Sequence, residues 1–195
     1  MQKYALLANP GHNRVYFEES KKLAAAELEL ALPCLSVPCG EIAPTVLGGV
    51  YYLTFTAEAV LAVPDIEILS RLSFVYAVFR IAERDGETAL LPVPLADYAY
   101  IGSAIGTILK YTGKTNELFT RMMINAALFA SGDCLCAGKR LLDPVAGKGT
   151  TLFEGLVYGM DVYGVEVGER AVSEACRYLQ KYLQTGKYKH SMKTE

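Results

Sequence analysis

Apolar positions along this chain follow two rhythms, alternation in short runs and a three-to-four spacing in longer ones. Tyr4 to Ala8 is an apolar run that predicts a first strand, with Asn9-Pro10-Gly11 as the turn after it. Glu18 to Leu32 predicts a helix: Leu23, Ala26 and Leu30 recur at helical spacing, and Pro33 stops it. The stretch from Pro33 to Pro44 holds Cys34, Pro38, Cys39 and Gly40 and reads as a loop. Val50 to Thr56 is rich in β-branched and aromatic residues and predicts a strand, with a short helix over Ala57 to Leu61. Ser73 to Ile81 and Thr88 to Val93 predict two more strands, the second ended by Pro92 and Pro94. These elements make a small α+β unit, taken as residues 1–110, in which Asp97 to Leu109 is a connector.

From residue 111 the pattern changes. Thr115 to Ala130 predicts a helix whose stripe of Leu118, Met122, Ala126 and Phe129 packs in a core, closed by Ser131-Gly132-Asp133. Arg140 to Leu142 predicts a strand, Thr150 to Tyr158 a helix, and Val162 to Val165 a second strand. Glu169 to Leu183 predicts a last helix with Val172, Ala175, Cys176 and Leu179 on one side, followed by a polar, frayed end. The order strand, helix, strand, helix implies an α/β arrangement with a parallel sheet over 111–195.

The chemistry lies at the two strand ends. The run Leu141-Leu142-Asp143-Pro144-Val145-Ala146-Gly147-Lys148-Gly149-Thr150-Thr151 ends a strand on an acid and turns through two glycines into a helix. Val162-Tyr163-Gly164-Val165-Glu166 ends the next strand on a second acid. Glycine lets backbone approach a ligand, and a helix start offers N–H groups. An acid after the second strand is placed to accept hydrogen bonds from ribose hydroxyls. Two phosphate-loop readings fail. A dinucleotide fingerprint needs a third glycine where Leu152 stands, and the triplet Gly113-Lys114-Thr115 lacks its earlier glycine, because Ile108 occupies that position. That triplet reads instead as a turn before a helix capped by Thr115 or Asn116.

Asp143-Pro144-Val145-Ala146-Gly147-Lys148-Gly149-Thr150-Thr151 resembles the first motif of S-adenosylmethionine-dependent methyltransferases. It is most similar to the branch that methylates exocyclic amino groups of nucleic-acid bases, including tRNA guanosine-N2 methyltransferases. Gly164-Val165-Glu166 matches the second motif, and Lys114 to Met122 resembles the helix that precedes the first. The resemblance covers residues 111 to 180. It implies a Rossmann-type methyltransferase sheet with S-adenosylmethionine as cofactor. The site it implies is built by Asp143, Ala146, Gly147, Gly149 and Glu166, with Thr115 and Asn116 at the methionine end. It also implies a nucleic-acid partner, RNA favoured because an accessory domain precedes the catalytic fold.

The Asn/Asp-Pro-Pro-Tyr-type segment with which that branch aligns the acceptor amine does not follow Glu166, so no catalytic residue is named. The expectation is an amino-terminal portion, with residues 111–195 a partial methyltransferase domain, inactive alone and prone to self-association through the unpaired edge of the Arg140 to Leu142 strand. A second reading, from a different class, is a non-catalytic module that keeps a cofactor-like fold and acts as a binding or partner subunit.

Composition adds bounds. With 52% hydrophobic and 21% charged residues the chain can bury a core, and a net charge of −2 gives no overall case for nucleic-acid binding. The five cysteines form no C-x-x-C pair and histidines number two, so a zinc site is poorly supported. The cysteines read as reduced, in a cytoplasmic protein with no signal-peptide pattern. The apolar stretch Val46 to Pro64 reads as a strand and a short helix, not a membrane span.

Overall fold

A computed structural model describes residues 1–9, 14–108, 110–132, 134 and 138–194, with side chains of the first helix from residue 20 on. It is a mixed α/β chain with a five-stranded antiparallel sheet and a separate parallel pair. The chain divides into two compact units, one of Met1–Tyr98 with Asn125–Leu135, the other of Ala99–Ile124 with Cys136–Glu195. Among the described residues no helix is long and apolar enough to cross a membrane.

In the first unit the elements run β1 (Gln2–Ala8), α1 (Arg14–Ala31), a 3-10 turn (Leu32–Cys34), β2 (Cys39–Leu47), β3 (Val50–Ala57), α2 (Val63–Arg71), β4 (Val75–Arg84) and β5 (Glu87–Val93). Strand order is β2-β3-β1-β4-β5. The central β1 sets Tyr4 opposite Phe55 and Arg80, and Leu6 opposite Leu53 and Val78. Alternation then puts Tyr4, Leu6, Leu53, Phe55 and Val78 in one core with Leu28, Leu69 and Phe129 from helices. Gly48 and Gly49 both take positive φ, +57° and +79°, which makes the tight two-residue connection between β2 and β3.

Several expectations are corrected. Residues 39–47 are a strand, not loop: β2 is an edge strand, where Pro44 and a bulge between Gly40 and Ala43 are tolerated. No helix forms over Ala57 to Leu61; it starts at Val63, with Pro64 in its first turn and the Asp65 carboxylate accepting the Ala62 N–H at 2.8 Å. Helix α1 buries Ala24, Glu27, Leu28 and Ala31, while Leu23 and Leu30 are exposed. Glu27 can be buried because it accepts hydrogen bonds from Ser73 N–H and Oγ and from Asn125 Nδ2. Cys34 and Cys134 form a disulfide, against the reading of reduced cysteines. The proposed turn at Pro10-Gly11, together with Asp133 and Cys136, lies outside the described residues.

The second unit holds α3 (Ala104–Ile108), the first half of α4 (Glu117–Ala130), β6 (Arg140–Asp143), α5 (Thr150–Val157), β7 (Asp161–Gly164) and α6 (Glu169–Thr185). The expected connector over 97–109 therefore contains a short helix. Strands β6 and β7 are parallel, Leu141 beside Val162 and Asp143 beside Gly164, with α5 as the crossover. In α4 the buried side chains are Thr120, Ile124, Asn125 and Phe129, and Leu118 is exposed, so the apolar stripe is rotated from the expected one. Tyr178 and Tyr182 of α6 donate to the Ile105 and Gly102 carbonyls. The frayed end is partly pinned: Tyr188 stacks on Tyr182 and accepts the Gly102 N–H.

Candidate functional site

The site is built at the carboxyl edge of the β6–β7 pair, where open α/β sheets hold ligands. Strand β6 ends at Asp143, whose Oδ1 accepts the Val145 N–H at 3.0 Å and starts the turn. The strand pairing then continues past both strands: Val165 N–H donates to Asp143 O and Ala146 N–H to Val165 O, each at 2.9 Å. Gly149 N–H closes back on Ala146 O at 2.8 Å, and Gly149, at φ +88°, starts α5 in a conformation that L side chains rarely adopt. Gly164 lets this turn fold down onto β7. A Cβ there would sit 2.7 Å from Leu152 Cδ1 and 2.9 Å from Ala146 Cβ.

Glu166 joins the two loops. Its Oε2 accepts Gly147 N–H and its Oε1 accepts Gly168 N–H, both at 2.8 Å. The carboxylate is therefore fixed in orientation, and each oxygen keeps lone-pair capacity for a further donor. A Cβ on Gly147 would meet nothing within 4 Å, so the backbone there faces open space. Asp143, Ala146, Gly147, Gly149 and Glu166 thus share one turn-and-loop assembly.

Thr115 and Asn116 are placed differently. Both are exposed, and Asn116 Oδ1 accepts the Phe119 N–H at 3.1 Å, which caps α4. The residue of that segment set against the glycine turn is Tyr111. Its hydroxyl is 2.9 Å from Thr150 Oγ1, and Lys148 Nζ lies 4.9 Å from its ring centroid. Lys148 Nζ also bridges to Glu174 of α6 at 2.5 Å, and Arg170 Nε holds the other oxygen of Glu174 at 2.8 Å. The two hydrogen bonds, that from Lys148 first, hold the Glu174 carboxyl down at about 2. Nothing in sequence spacing links Tyr111 to Thr150 or Lys148 to Glu174. Lys148 lay inside the motif but read only as its variable position.

Beneath the turn, Glu154 of α5 is 1% exposed and accepts hydrogen bonds from Arg121 Nε and Nη2 of α4, at 3.3 and 3.2 Å. Burial pushes its carboxyl up, and the charge and hydrogen bonds of Arg121 offset only part of that rise. Lys114 donates to Glu117 and to the Gly106 carbonyl. Gly106 leaves room for Glu154, because a Cβ there would lie 2.8 Å from Glu154 Oε1. The assembly as a whole offers a fixed carboxylate, one open backbone glycine at Gly147, a paired cation and an aromatic ring. That set suits binding of a polar ligand with a vicinal diol. In comparison with known proteins, no family model and no curated sequence matches this chain.

Proposed function

We propose that this chain carries the S-adenosylmethionine site of a Rossmann-type methyltransferase that acts on a base amino group in nucleic acid, RNA favoured. The observation that carries the reading is the Glu166 carboxylate held by the N–H groups of Gly147 and Gly168. An acceptor fixed in this way needs no reordering to take the two ribose hydroxyls, one on each oxygen. The glycine turn, resembling the family's first motif, supports the same reading. When bound, the cofactor supplies a methyl group on a sulfonium. The residues of this chain bind and orient it, and none is assigned to the acceptor amine. RNA modification such as tRNA processing, in the cytoplasm, is the setting this reading proposes.

Calorimetric titration with S-adenosylmethionine tests it. The protein should bind, and Glu166→Ala should weaken binding at least about tenfold, since hydrogen bonds to a charged group are worth roughly 1.5–3 kcal/mol each. Equal affinity in the two proteins removes Glu166 from the site. No binding by the unaltered protein favours the non-catalytic module instead.

The reading also proposes self-association through β6. Parallel strands are normally covered on both faces. Here Gly155 of α5 approaches Leu141 and Val162 on one face, while Leu142 on the other is 63% exposed, beside exposed Tyr163 and Val165. Light scattering at micromolar concentration should show a dimer or larger, and Leu142→Glu should return it to a monomer. A monomer throughout refutes this part alone.

A further inference from the structure

The chain's net charge of −2 hides a local run of one sign. Between residues 175 and 194 it carries Arg177, Lys181, Lys187, Lys189 and Lys193 and no acid. Each of the first three precedes a tyrosine, in Arg177-Tyr178, Lys181-Tyr182 and Lys187-Tyr188. The tyrosines are half-buried and form a ladder: Phe153, Tyr178, Tyr182 and Tyr188 follow one another with ring centroids 5.3, 6.2 and 6.4 Å apart. Their hydroxyls are tied to the backbone of Ile105 and Gly102. Arg177, Lys181, Lys187 and Lys189 are exposed, and among the described residues none of the four is ion-paired with a carboxylate.

The end of α6 holds this row in place. Tyr188 N–H donates to Leu183 O at 3.0 Å and Lys187 N–H to Gln184 O at 3.1 Å, the paired bonds that close a helix around a left-handed residue. That residue is Lys187, at φ +56°, where glycine is the usual choice and a side chain is strained. Glycine stands one place earlier instead, at Gly186, where a Cβ would run into the Tyr188 ring. Arg177 and Lys181 stand four apart on α6, a like-charge pair that disfavours the helix. The helix dipole does not account for the row, since the last turn of α6 holds no cation. Folding alone gives no reason for a strained lysine in a row of exposed cations, whereas a polyanion does. The exposed residues between them are Gln180, Gln184, Thr185 and Gly186, so the row lacks the apolar wedge with which a basic helix enters a membrane.

We infer that Arg177, Lys181, Lys187 and Lys189 form a track for the phosphate backbone of RNA, separate from the glycine turn and the Glu166 loop. This rests on the nucleic-acid reading above and deepens it: the track contributes affinity without reading bases. Helix α6 leads away from the Glu166 loop, and its 17 residues span about 25 Å, so Lys187 and Lys189 grip the RNA well away from that loop.

Fluorescence anisotropy with a labelled, unmodified tRNA transcript tests the track, and calorimetric titration with S-adenosylmethionine reports separately on the cofactor reading. Lys187→Gln with Lys189→Gln should weaken the RNA about tenfold at about 100 mM salt, and adding Arg177→Gln and Lys181→Gln about tenfold more. The slope of log affinity against log salt should flatten by about one for each cation removed. Lys187→Arg with Lys189→Arg keeps the charges and should keep the affinity. Affinity for S-adenosylmethionine should be the same in every variant. Unchanged RNA affinity and slope in the fourfold variant overturn the track while the cofactor and nucleic-acid readings stand. An equal loss of S-adenosylmethionine affinity also overturns it, because the charges then act through the fold. If the unaltered protein binds S-adenosylmethionine but no RNA, the nucleic-acid reading fails and the track with it. If it binds RNA through these cations but not S-adenosylmethionine, the cofactor reading fails and the track stands. Capture of the unaltered protein by phosphatidylserine vesicles in preference to the RNA assigns the row to a lipid surface and overturns the track.

Discussion

At residue scale the two glycines of the turn differ in what they tolerate. Gly147 has φ +54° with open space beyond it, whereas Gly149 has φ +88° and would bring a Cβ to 3.2 Å from the Phe153 ring. Gly147→Ala should cost about 1 kcal/mol of stability from backbone strain alone, and Gly149→Ala about 2–3 kcal/mol because contact adds to strain. Urea unfolding of both variants checks the order, and a reversed order would contradict the geometry. Glu174 gives a pH prediction. Its carboxyl is held at about 2 against an ordinary 4.5, by Lys148 first and Arg170 second. The sign follows from a lowered value: its pairing favours the folded state above the ordinary range and is lost as pH falls from about 4.5 to about 2. An NMR titration of Glu174 should move upward in Lys148→Met. The turn itself was legible, because Gly147 and Gly149 both take the positive φ that favours glycine between a strand and a helix. Tyr111 and the Glu174 bridge were not, since each is a contact between residues far apart in sequence that only packing reveals.

At element scale α5 carries the second unit. Gly155 brings it so close to the parallel pair that a Cβ would lie 2.6 Å from Leu141 Cδ2 and 2.8 Å from Val162 Cγ1. Its neighbour Glu154 faces Arg121 instead. Removing Arg121 leaves a buried carboxylate alone, so Arg121→Leu should cost about 3–5 kcal/mol. Glu154→Gln removes the charge that burial penalises and should cost less than about 1 kcal/mol, leaving Arg121 part-exposed. Because burial raises the Glu154 carboxyl, its ionisation works against folding as pH rises past the ordinary carboxylate range, and Glu154→Gln should flatten that slope. Denaturation of the three proteins between pH 4 and 8 reads both effects. Elements with strong periodicity, β3, β4, α5 and α6, could be read from the chain. Strand β2 could not, because Pro44 and Gly40 signal a loop unless the strand is known to be an edge. Helix α2 was hidden by Pro64, which ends one element and begins another equally well. The buried face of α1 includes Glu27, whose partners Ser73 and Asn125 come from distant parts of the chain.

For the molecule as a whole, the mixed α/β character and the parallel pair were implied by the spacing of strands and helices, but the five-stranded antiparallel order, with β2 at its edge, and the cross-link were not. Cysteine spacing does not define connectivity, and Cys34 and Cys134 stand 100 residues apart. The bond fastens Cys134, just past α4, to the 3-10 turn after α1, beside the hydrogen bond from Arg71 to the Cys134 carbonyl. Reduction, or Cys34→Ser, should lower the stability of the first unit by about 2–4 kcal/mol, seen as a lower melting temperature. Unchanged melting with and without reductant would show that the bond contributes nothing. The same link makes residues 34 to 134 a covalent ring. A protease that cuts once inside the ring opens it without releasing a piece, so the chain keeps its full mass on a non-reducing gel. It parts into two bands only when a thiol is added, whereas a cut after residue 134 frees a fragment under either condition.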